Sequence, residues 1–372
     1  MLASDATSKA ALDEASLNRL LLEGVIMKQL LPVVLATTAL AACGGGGSGG
    51  SGSGQQIKIV GSSTVYPFSR AVAEDFQRAN SGTSVIVEST GTGAGIKLFC
   101  SGVGSQFPDV VNASRPMKKS EYEACAKAGV KSVIEVPIGI DGLTLIQGAG
   151  LPAMNLTQAD IYKAIAANPF GKGANTAQTW KDVNPSLPAT KIRVLGPPPT
   201  SGTRDSLAEL YLTKGCESDP AMKELKKSDE DKHKDICTKV REDGAFVEAG
   251  ENDNLLVQKV AADPGTLGVL GYSFLEENAD KVTPVSVNAV APTIETISNL
   301  TYPGARKLYI YVKGEHMQAK PSIREFVASY AKAWGKGGAL ERIGLVPFGG
   351  ADLTSATSQA TDLKPLDSAA LK

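Results

Sequence analysis

The stretch Thr200-Ser201-Gly202-Thr203-Arg204-Asp205 stands between a β-like run, Ile192 to Leu195, and a helix-like run whose apolar residues share one face. Small hydrogen-bonding residues and an arginine therefore lie where a helix begins. The first backbone N–H groups of a helix lack intrahelical partners and the helix dipole is positive there, so the stretch predicts an anion site. The alternative is a plain N-cap, in which Ser201 or Thr203 caps the helix and Arg204 points to solvent.

The same order of strand, polar joint and helix recurs along the chain. Its β-like runs and their joints are Ile57 to Val60 with Gly61-Ser62-Ser63-Thr64, Val85 to Val87 with Ser89-Thr90-Gly91, Val110 and Val111 with Asn112-Ala113-Ser114-Arg115, and Ile138 to Ile140 with Asp141-Gly142. Strands alternating with helices predict an α/β fold with a mostly parallel sheet, in which ligands bind outside the carboxyl ends of strands. Because the joints share hydroxyl and backbone N–H donors, we expect them to converge on one oxyanion.

The N-terminal region, residues 1–42, has the features of an export signal behind a polar extension. Met27 and Lys28 precede an apolar run, Leu30 to Ala42, which is too short to span a bilayer. The run ends in Leu-Ala-Ala before Cys43, which resembles a bacterial lipoprotein signal with Cys43 lipidated after cleavage. The alternative is ordinary secretion with cleavage near Ala42. Residues 43–54, nearly all Gly and Ser after the cysteine, predict a flexible tether.

Charge excludes some partners. The chain has 38 basic and 39 acidic residues, and residues 1–42 hold three of the former and four of the latter, so 35 of each remain. A chain of zero net charge has no global field to attract nucleic acid or an anionic membrane. Roughly 320 residues follow the signal and tether, enough for two α/β domains.

Four cysteines follow Cys43, and an even count in an exported chain predicts disulfides. We favour the sequence-local pairing, Cys100–Cys125 and Cys216–Cys237, because each bridge then closes a short loop. No metal site is predicted, since the chain has no Cys-x-x-Cys motif and only two histidines, His233 and His316. His233 lies in a charge run, residues 226–235, which is typical of a solvated face.

Several short motifs occur along the chain in a characteristic order. They are Gly61-Ser62-Ser63-Thr64, Ser89-Thr90-Gly91, Asn112-Ala113-Ser114-Arg115-Pro116-Met117, Ile140-Asp141-Gly142, Ser201-Gly202-Thr203-Arg204, Leu267 to Tyr272 and Tyr302-Pro303-Gly304-Ala305-Arg306. This ordered set resembles the periplasmic phosphate-binding proteins, the substrate receptors of the phosphate-specific ABC transporter, over roughly Ile57 to Pro347. The resemblance implies a two-lobed periplasmic-binding-protein fold of type II, with the anion in the cleft between the lobes.

The resemblance also implies which residues contact the anion. They are Ser63, Thr64, Ser89, Thr90, Ser114 and Arg115 from the first lobe, and Ser201, Gly202, Thr203 and Arg204 from the second. Asp141, at the crossover between lobes, is the expected acceptor of the phosphate proton, and Asp205 is the second candidate. The chain departs from some relatives in two places. They carry an acidic residue in place of Arg115, and an arginine where this chain has Pro197 to Pro199.

Lobe I is expected to comprise residues 55–142 and 306–372, and lobe II residues 143–305, with a hinge at the two crossings. The expected function is high-affinity phosphate binding in the periplasm or at the cell surface, and delivery to an ABC permease, by a lipid-anchored monomer without a cofactor. The alternatives are a receptor for another oxyanion, such as sulfate, and an exported phosphoesterase. Hydrolysis needs a metal cluster or an activated nucleophile beside a base, and neither histidine lies near a joint, so we expect no enzyme.

Overall fold

The computed structural model describes residues 55–250, 252–367, 369 and 371. The expected signal segment, the lipidation site Cys43 and the tether 43–54 lie outside the described residues. Among the helices of the described ranges, none combines the length and the apolar character needed to cross a membrane.

The described residues form ten strands and fifteen α-helices. The strands are β1 Gln55–Gly61, β2 Thr83–Ser89, β3 Val110–Ala113, β4 Val133–Gly148, β5 Asn155–Leu156, β6 Val194–Gly196, β7 Phe246–Glu248, β8 Leu267–Gly271, β9 Val282–Val287 and β10 Ala305–Lys313.

The first eight helices, all of which precede β7, are α1 Tyr66–Ala79, α2 Thr92–Phe99, α3 Lys119–Lys127, α4 Gln158–Ile165, α5 Trp180–Val183, α6 Gly202–Ser206, α7 Thr213–Cys216 and α8 Pro220–Ser228. The others are α9 Glu230–Thr238, α10 Asp253–Ala262, α11 Tyr272–Glu277, α12 Ile294–Ser298, α13 Gly314–Ala319, α14 Ser322–Ala333 and α15 Gly350–Asp362. Two 3₁₀ turns, Pro169–Gly171 and Glu341–Ile343, and a π-helical segment, Leu207–Leu212, between α6 and α7 complete the description.

The strands form one mixed sheet in the order β2-β1-β3-β10-β4-β8-β6-β7, with β9 pairing with β4 and β5. The outer strands are parallel, as predicted: β1 pairs with β2 and β3, and β6 pairs with β7 and β8. The prediction of a mostly parallel sheet is wrong at the centre, where β10 is antiparallel to β3 and β4, and β4 is antiparallel to β8 and β9. The reason is that β4 and β10 carry the chain in opposite directions through the middle of the sheet.

The long strand β4 belongs to both halves of the sheet. From Val133 to Gly142 it pairs with β10, and from Leu143 to Gly148 it pairs with β8 and β9. The change of partner falls directly after Asp141 and Gly142. This is where we expected the boundary between lobe I and lobe II, and the full set of lobe boundaries stays a prediction.

The core of the first half joins the N-terminal strands to the C-terminal return of the chain. Helix α1 buries Phe68, Val72 and Phe76, the face that its periodicity predicts. Phe76 meets Phe326 of α14 edge to face, with ring centroids 5.6 Å apart. Such a pair contributes about 1 kcal/mol beyond the burial of its area, so it helps to fix the return against α1.

Two disulfide bonds link pairs of helices covalently. Cys100 is bonded to Cys125, which links the end of α2 to α3, and Cys216 is bonded to Cys237, which links α7 to α9. Both agree with the sequence-local pairing. The closed loops span 25 and 21 residues, for which chain-entropy estimates give roughly 3 kcal/mol of stabilisation each.

Candidate anion-binding site

Three of the predicted joints meet at one edge of the sheet. Ser62 N donates to Asn112 O at 2.9 Å, and Thr90 N and Gly91 N donate to Gly61 O at 2.8 and 2.9 Å. Gly61 has φ +128°, and a Cβ there would lie 2.2 Å from Asn112 O, so only glycine allows the approach. The joints after β1, β2 and β3 therefore lie together, and their convergence on one oxyanion stays a prediction.

The joint before α6 packs against the joint after β1. Thr64 Oγ1 donates to Gly202 O at 3.0 Å, and a Cβ on Gly202 would lie 2.5 Å from Ser63 O. Ser201 Oγ accepts from Thr203 N at 3.2 Å, so Ser201 caps α6, as the plainer interpretation of this stretch holds. A hydroxyl that caps through its oxygen keeps its hydrogen for a ligand, so a cap and an anion contact are compatible.

Arg306, on β10, is the cation at this junction. Its side chain is only 10% exposed, and Nη2 donates to Thr64 Oγ1 at 2.9 Å and to Ser206 Oγ at 2.7 Å. Nε donates to Asp141 Oδ2 at 3.1 Å, and Nη1 donates to Glu209 Oε2. We call these five residues, Arg306, Asp141, Thr64, Ser206 and Glu209, the Arg306 cluster. It draws on β4, β10, the joint after β1 and the helix that follows Ser201-Gly202-Thr203.

A second set of hydroxyls reaches the same cluster through Glu209. Ser114 Oγ donates to Glu209 Oε2 at 3.2 Å, and Ser114 N donates to Thr92 Oγ1 at 3.1 Å. Thr92 Oγ1 and Ser114 Oγ lie 2.9 Å apart. Since Ser114 uses its single hydroxyl hydrogen on Glu209, Thr92 must donate to Ser114 Oγ. Thr92 thereby orients the Ser114 hydroxyl toward the cluster.

The two predicted arginines, Arg115 and Arg204, each have a carboxylate and a backbone carbonyl close by. Arg115 binds Glu121 through two hydrogen bonds, at 2.9 and 2.7 Å. Burial alone would raise the pKa of Glu121, but this pairing leaves it lowered. Arg204 Nη1 donates to Pro197 O at 2.9 Å and lies 3.6 Å from Glu248 Oε1. Both guanidinium groups have hydrogen-bond partners outside the Arg306 cluster, and their contact with the anion stays a prediction.

The other residues predicted to contact the anion differ in their burial and in their contacts. Thr90 Oγ1 is buried and has no hydrogen-bond partner among the described residues, whereas Ser89 is exposed at the end of β2. A buried hydroxyl without a hydrogen-bond partner costs about 1–3 kcal/mol of stability. A bound anion that accepted a hydrogen bond from the Thr90 hydroxyl would remove this cost. Ser63 contributes its carbonyl to the contact with Gly202. Asp205 follows on α6 and takes no part in the Arg306 cluster.

Sequence reasoning missed four functional candidates: Arg306, Ser206, Glu209 and Thr92. Arg306 ends one of the ordered motifs, Tyr302 to Arg306, but the resemblance does not imply that it contacts the anion. Ser206 lies four residues after Gly202, and residues at this spacing share a helix face, so the spacing could have identified it. Glu209 lies in the π-helical segment, whose i→i+5 geometry no local sequence signal indicated.

One group of side chains has metal-ligand character. The ligand atoms of Cys216, His233 and Cys237 lie within 4.8 Å of one another. The two sulfur atoms are bonded to each other, and a metal needs the free thiolates. His233 is 3% exposed, so the prediction of a solvated face is wrong there, because α9 turns this residue toward the disulfide. Burial lowers the pKa of His233.

The chain is similar to known proteins over most of its length. The PBP superfamily domain matches residues 46–334. Protein SphX of Synechococcus elongatus is 37% identical over 308 residues, which cover 80% of this chain and 79% of that protein. The phosphate-binding protein PstS of Staphylococcus saprophyticus is 30% identical over 318 residues, 84% of this chain and 86% of that protein. A solved structure, described as a possible phosphate binding protein from Planctomyces limnophilus, is 28% identical, covers 83% of this chain and 98% of its own, and has a TM-score of 0.67.

Proposed function

Since the chain belongs to the PstS family of phosphate-binding proteins, within the PBP superfamily, we propose that it binds inorganic phosphate and delivers it to the permease of an ABC transporter. The observation that carries the proposal is the nearly buried guanidinium of Arg306, surrounded by hydroxyls from both sides of the junction between β1 and α6. Its Nη1 group donates only to Glu209 among the described residues, so Nη1 can make a charge-assisted hydrogen bond to an oxyanion.

The ligand contacts we propose combine the joints with this arginine. Arg306 supplies the positive charge that we first expected from Arg115 and Arg204. The hydroxyls of Thr90, Ser114 and Ser201, with the backbone N–H group of Gly202, supply the neutral donors. Thr64 and Thr203 stay predictions, because their hydrogens are donated to Gly202 O and Ser201 Oγ in this structure. Ser63 and Ser89 stay predictions at the rim of the site. Because the chain carries no net field after residue 42, such local donors must supply the whole attraction for the anion.

Asp141 gives the site a means to choose between phosphate and sulfate. Near neutral pH phosphate retains a proton, whereas sulfate has none. The Asp141 side chain is 17% exposed, and its Oδ2 accepts from both Arg306 and Ser206. A carboxylate has about four acceptor positions, so it can also accept the phosphate O–H. Toward sulfate, which has no proton to donate, it presents a like charge.

We propose a receptor rather than a hydrolase. Neither of the two histidines contacts the Arg306 cluster: His233 lies beside a disulfide, and His316 Nδ1 lies 2.7 Å from Asp109 Oδ1. His316 Nε2 also accepts from Gly104 N at 3.0 Å, so its acceptor nitrogen is used within the fold. Since neither histidine lies beside a serine of the site, we assign the serine hydroxyls the role of hydrogen-bond donors to the anion.

The setting we propose is the periplasm or the cell envelope. Residues 1–42 would direct export, Cys43 would carry the lipid anchor, and residues 43–54 would tether a monomeric receptor. Lobe I would comprise residues 55–142 and 306–372, and lobe II residues 143–305, with closure about Asp141 and Arg306. The export signal in the sequence and the change of β4 partner after Gly142 support these assignments.

Titration calorimetry tests the function. The protein is stripped of endogenous ligand by unfolding and refolding, and phosphate and sulfate are titrated separately at one ionic strength. We expect one phosphate per chain and much weaker sulfate binding, with no hydrolysis of p-nitrophenyl phosphate. No heat with phosphate, or sulfate binding as tight as phosphate, would refute the proposal.

A further inference from the structure

We propose that Glu209 is an internal competitor of the anion, whose carboxylate and phosphate bind the same donors in turn. The inference rests on the proposed function, because it assigns a role within that binding site. Glu209 Oε2 accepts from Ser114 Oγ at 3.2 Å and from Arg306 Nη1. These two donors come from the joint after β3 and from β10, and both are among the proposed phosphate contacts.

The two acceptors exclude each other at Ser114. A serine hydroxyl has one hydrogen, and Thr92 already donates to the oxygen of Ser114, so Ser114 has one donor to give. It can serve Glu209 or phosphate, but not both. At Arg306, the Nη1 bond to Glu209 uses part of the guanidinium edge that would otherwise face an oxyanion.

Exposure distinguishes Glu209 from the other carboxylate of the cluster. The Glu209 side chain is 47% exposed, whereas Asp141 is 17% and Arg306 is 10% exposed. Glu209 thus reaches the cluster from its solvent side and can return to water, where its charge is solvated at little cost. Asp141 is held by Arg306 and by Ser206, at 2.8 Å, on the inner side.

Electrostatic repulsion between the bound anion and the Glu209 carboxylate also favours displacement of Glu209. A phosphate anion bound beside both carboxylates would face two negative charges around a single guanidinium. Displacing Glu209 removes one of them. The free energy needed to displace Glu209 is subtracted from the binding free energy of every anion. Only an anion that uses all the donors gains enough binding free energy to outweigh this cost. Glu209 therefore lowers the apparent affinity for phosphate below the intrinsic affinity of the donors.

The test compares Glu209→Gln and Glu209→Ala with wild type by phosphate calorimetry. Glu248→Gln is the matched control, because Glu248 is 49% exposed and faces Arg204 outside the cluster. We expect both Glu209 variants to bind phosphate more tightly, by up to about fivefold, the upper end of the scale for a partly exposed charge pair. The Glu248 variant should match wild type.

The outcomes separate this inference from the function. If wild type binds phosphate and both Glu209 variants bind it equally well or more weakly, Glu209 does not compete, and the inference fails while the function stands. Weaker binding would mean that Glu209 positions Ser114 and Arg306 for the ligand. If neither wild type nor the variants bind phosphate, the proposed function is wrong and the inference falls with it.

Discussion

Arg306 Nε lies 3.1 Å from Asp141 Oδ2, and the two residues are direct partners in the antiparallel ladder between β10 and β4. The ion pair is therefore set by the register of the two strands that cross the centre of the sheet. It sits where β4 exchanges β10 for β8, next to the expected hinge. Arg306, the proposed positive charge of the site, and Asp141, the proposed proton acceptor, are thus held to each other. The helix that begins at Gly202 contacts both residues through Ser206.

Asp141→Asn tests the proton acceptor. Asparagine keeps the shape of the side chain but removes the charge that repels a fully ionised anion. Because juxtaposed like charges cost several kcal/mol, we expect the ratio of sulfate to phosphate affinity to rise by at least about tenfold. Both anions are titrated against both proteins at one ionic strength, with Asp205→Asn alongside. An unchanged ratio of sulfate to phosphate affinity in Asp141→Asn would show that this carboxylate does not accept a hydrogen bond from the phosphate proton.

Gly202→Ala tests the contact between the joint before α6 and the joint after β1. A Cβ at Gly202 would lie 2.5 Å from Ser63 O and 2.7 Å from Thr64 Cα, so the two joints must separate. Overpacking of this kind costs about 1–3 kcal/mol, and we expect phosphate affinity to fall about tenfold or more. Gly82→Ala is the control, because a Cβ there meets nothing within 4 Å among the described residues. Equal affinities for the two variants would contradict a closed contact at Gly202.

Lys313 predicts a pH dependence of stability that has no connection with the anion. The residue is fully buried, and Nζ donates to Gly102 O at 2.6 Å. Burial lowers the pKa of Lys313 from 10.5 to about 8, against the opposing effect of Asp109. Between these values the unfolded chain holds one more proton than the folded chain, so stability rises with pH by at most about 1.4 kcal/mol per pH unit.

Urea unfolding at several pH values between 7.5 and 9.5 checks this effect against Lys313→Met, which keeps an apolar side chain of similar length. The free energy of unfolding of wild type, minus that of the variant, should increase as the pH rises through 8. Below that pH this difference should be constant. A difference that is flat across the whole range would mean that Lys313 has its ordinary pKa in the folded protein.

The local pattern of the sequence predicted the outer parts of the sheet and the joints well. Ile57 to Val60 lies within β1, and Val110 and Val111 begin β3, because alternating strands and helices leave a periodic signal. The same pattern could not predict that β10 inserts between β3 and β4. That pairing joins residues such as Asp141 and Arg306, which are 165 positions apart, and nothing local specifies it.

The partners of charged side chains were equally beyond local reasoning. Arg115 is bound by Glu121, six residues ahead on α3, and Arg204 of α6 lies 3.6 Å from Glu248 of β7. Whether an arginine at a joint faces a ligand or a carboxylate depends on which acids the fold brings near it. His233 shows the same limit, since the Cys216–Cys237 disulfide buries it despite the charged residues on both sides.

The central claim is that Arg306 supplies the positive charge of the phosphate site, and phosphate calorimetry on Arg306→Lys and Arg204→Lys tests it most directly. Lysine keeps the charge but cannot reproduce the guanidinium's simultaneous bonds to Asp141, Thr64 and Ser206. We expect Arg306→Lys to weaken phosphate binding by at least about tenfold, roughly one charge-assisted hydrogen bond, and Arg204→Lys to change it less than about twofold. Wild-type affinity in Arg306→Lys, with the loss appearing in Arg204→Lys, would contradict the account.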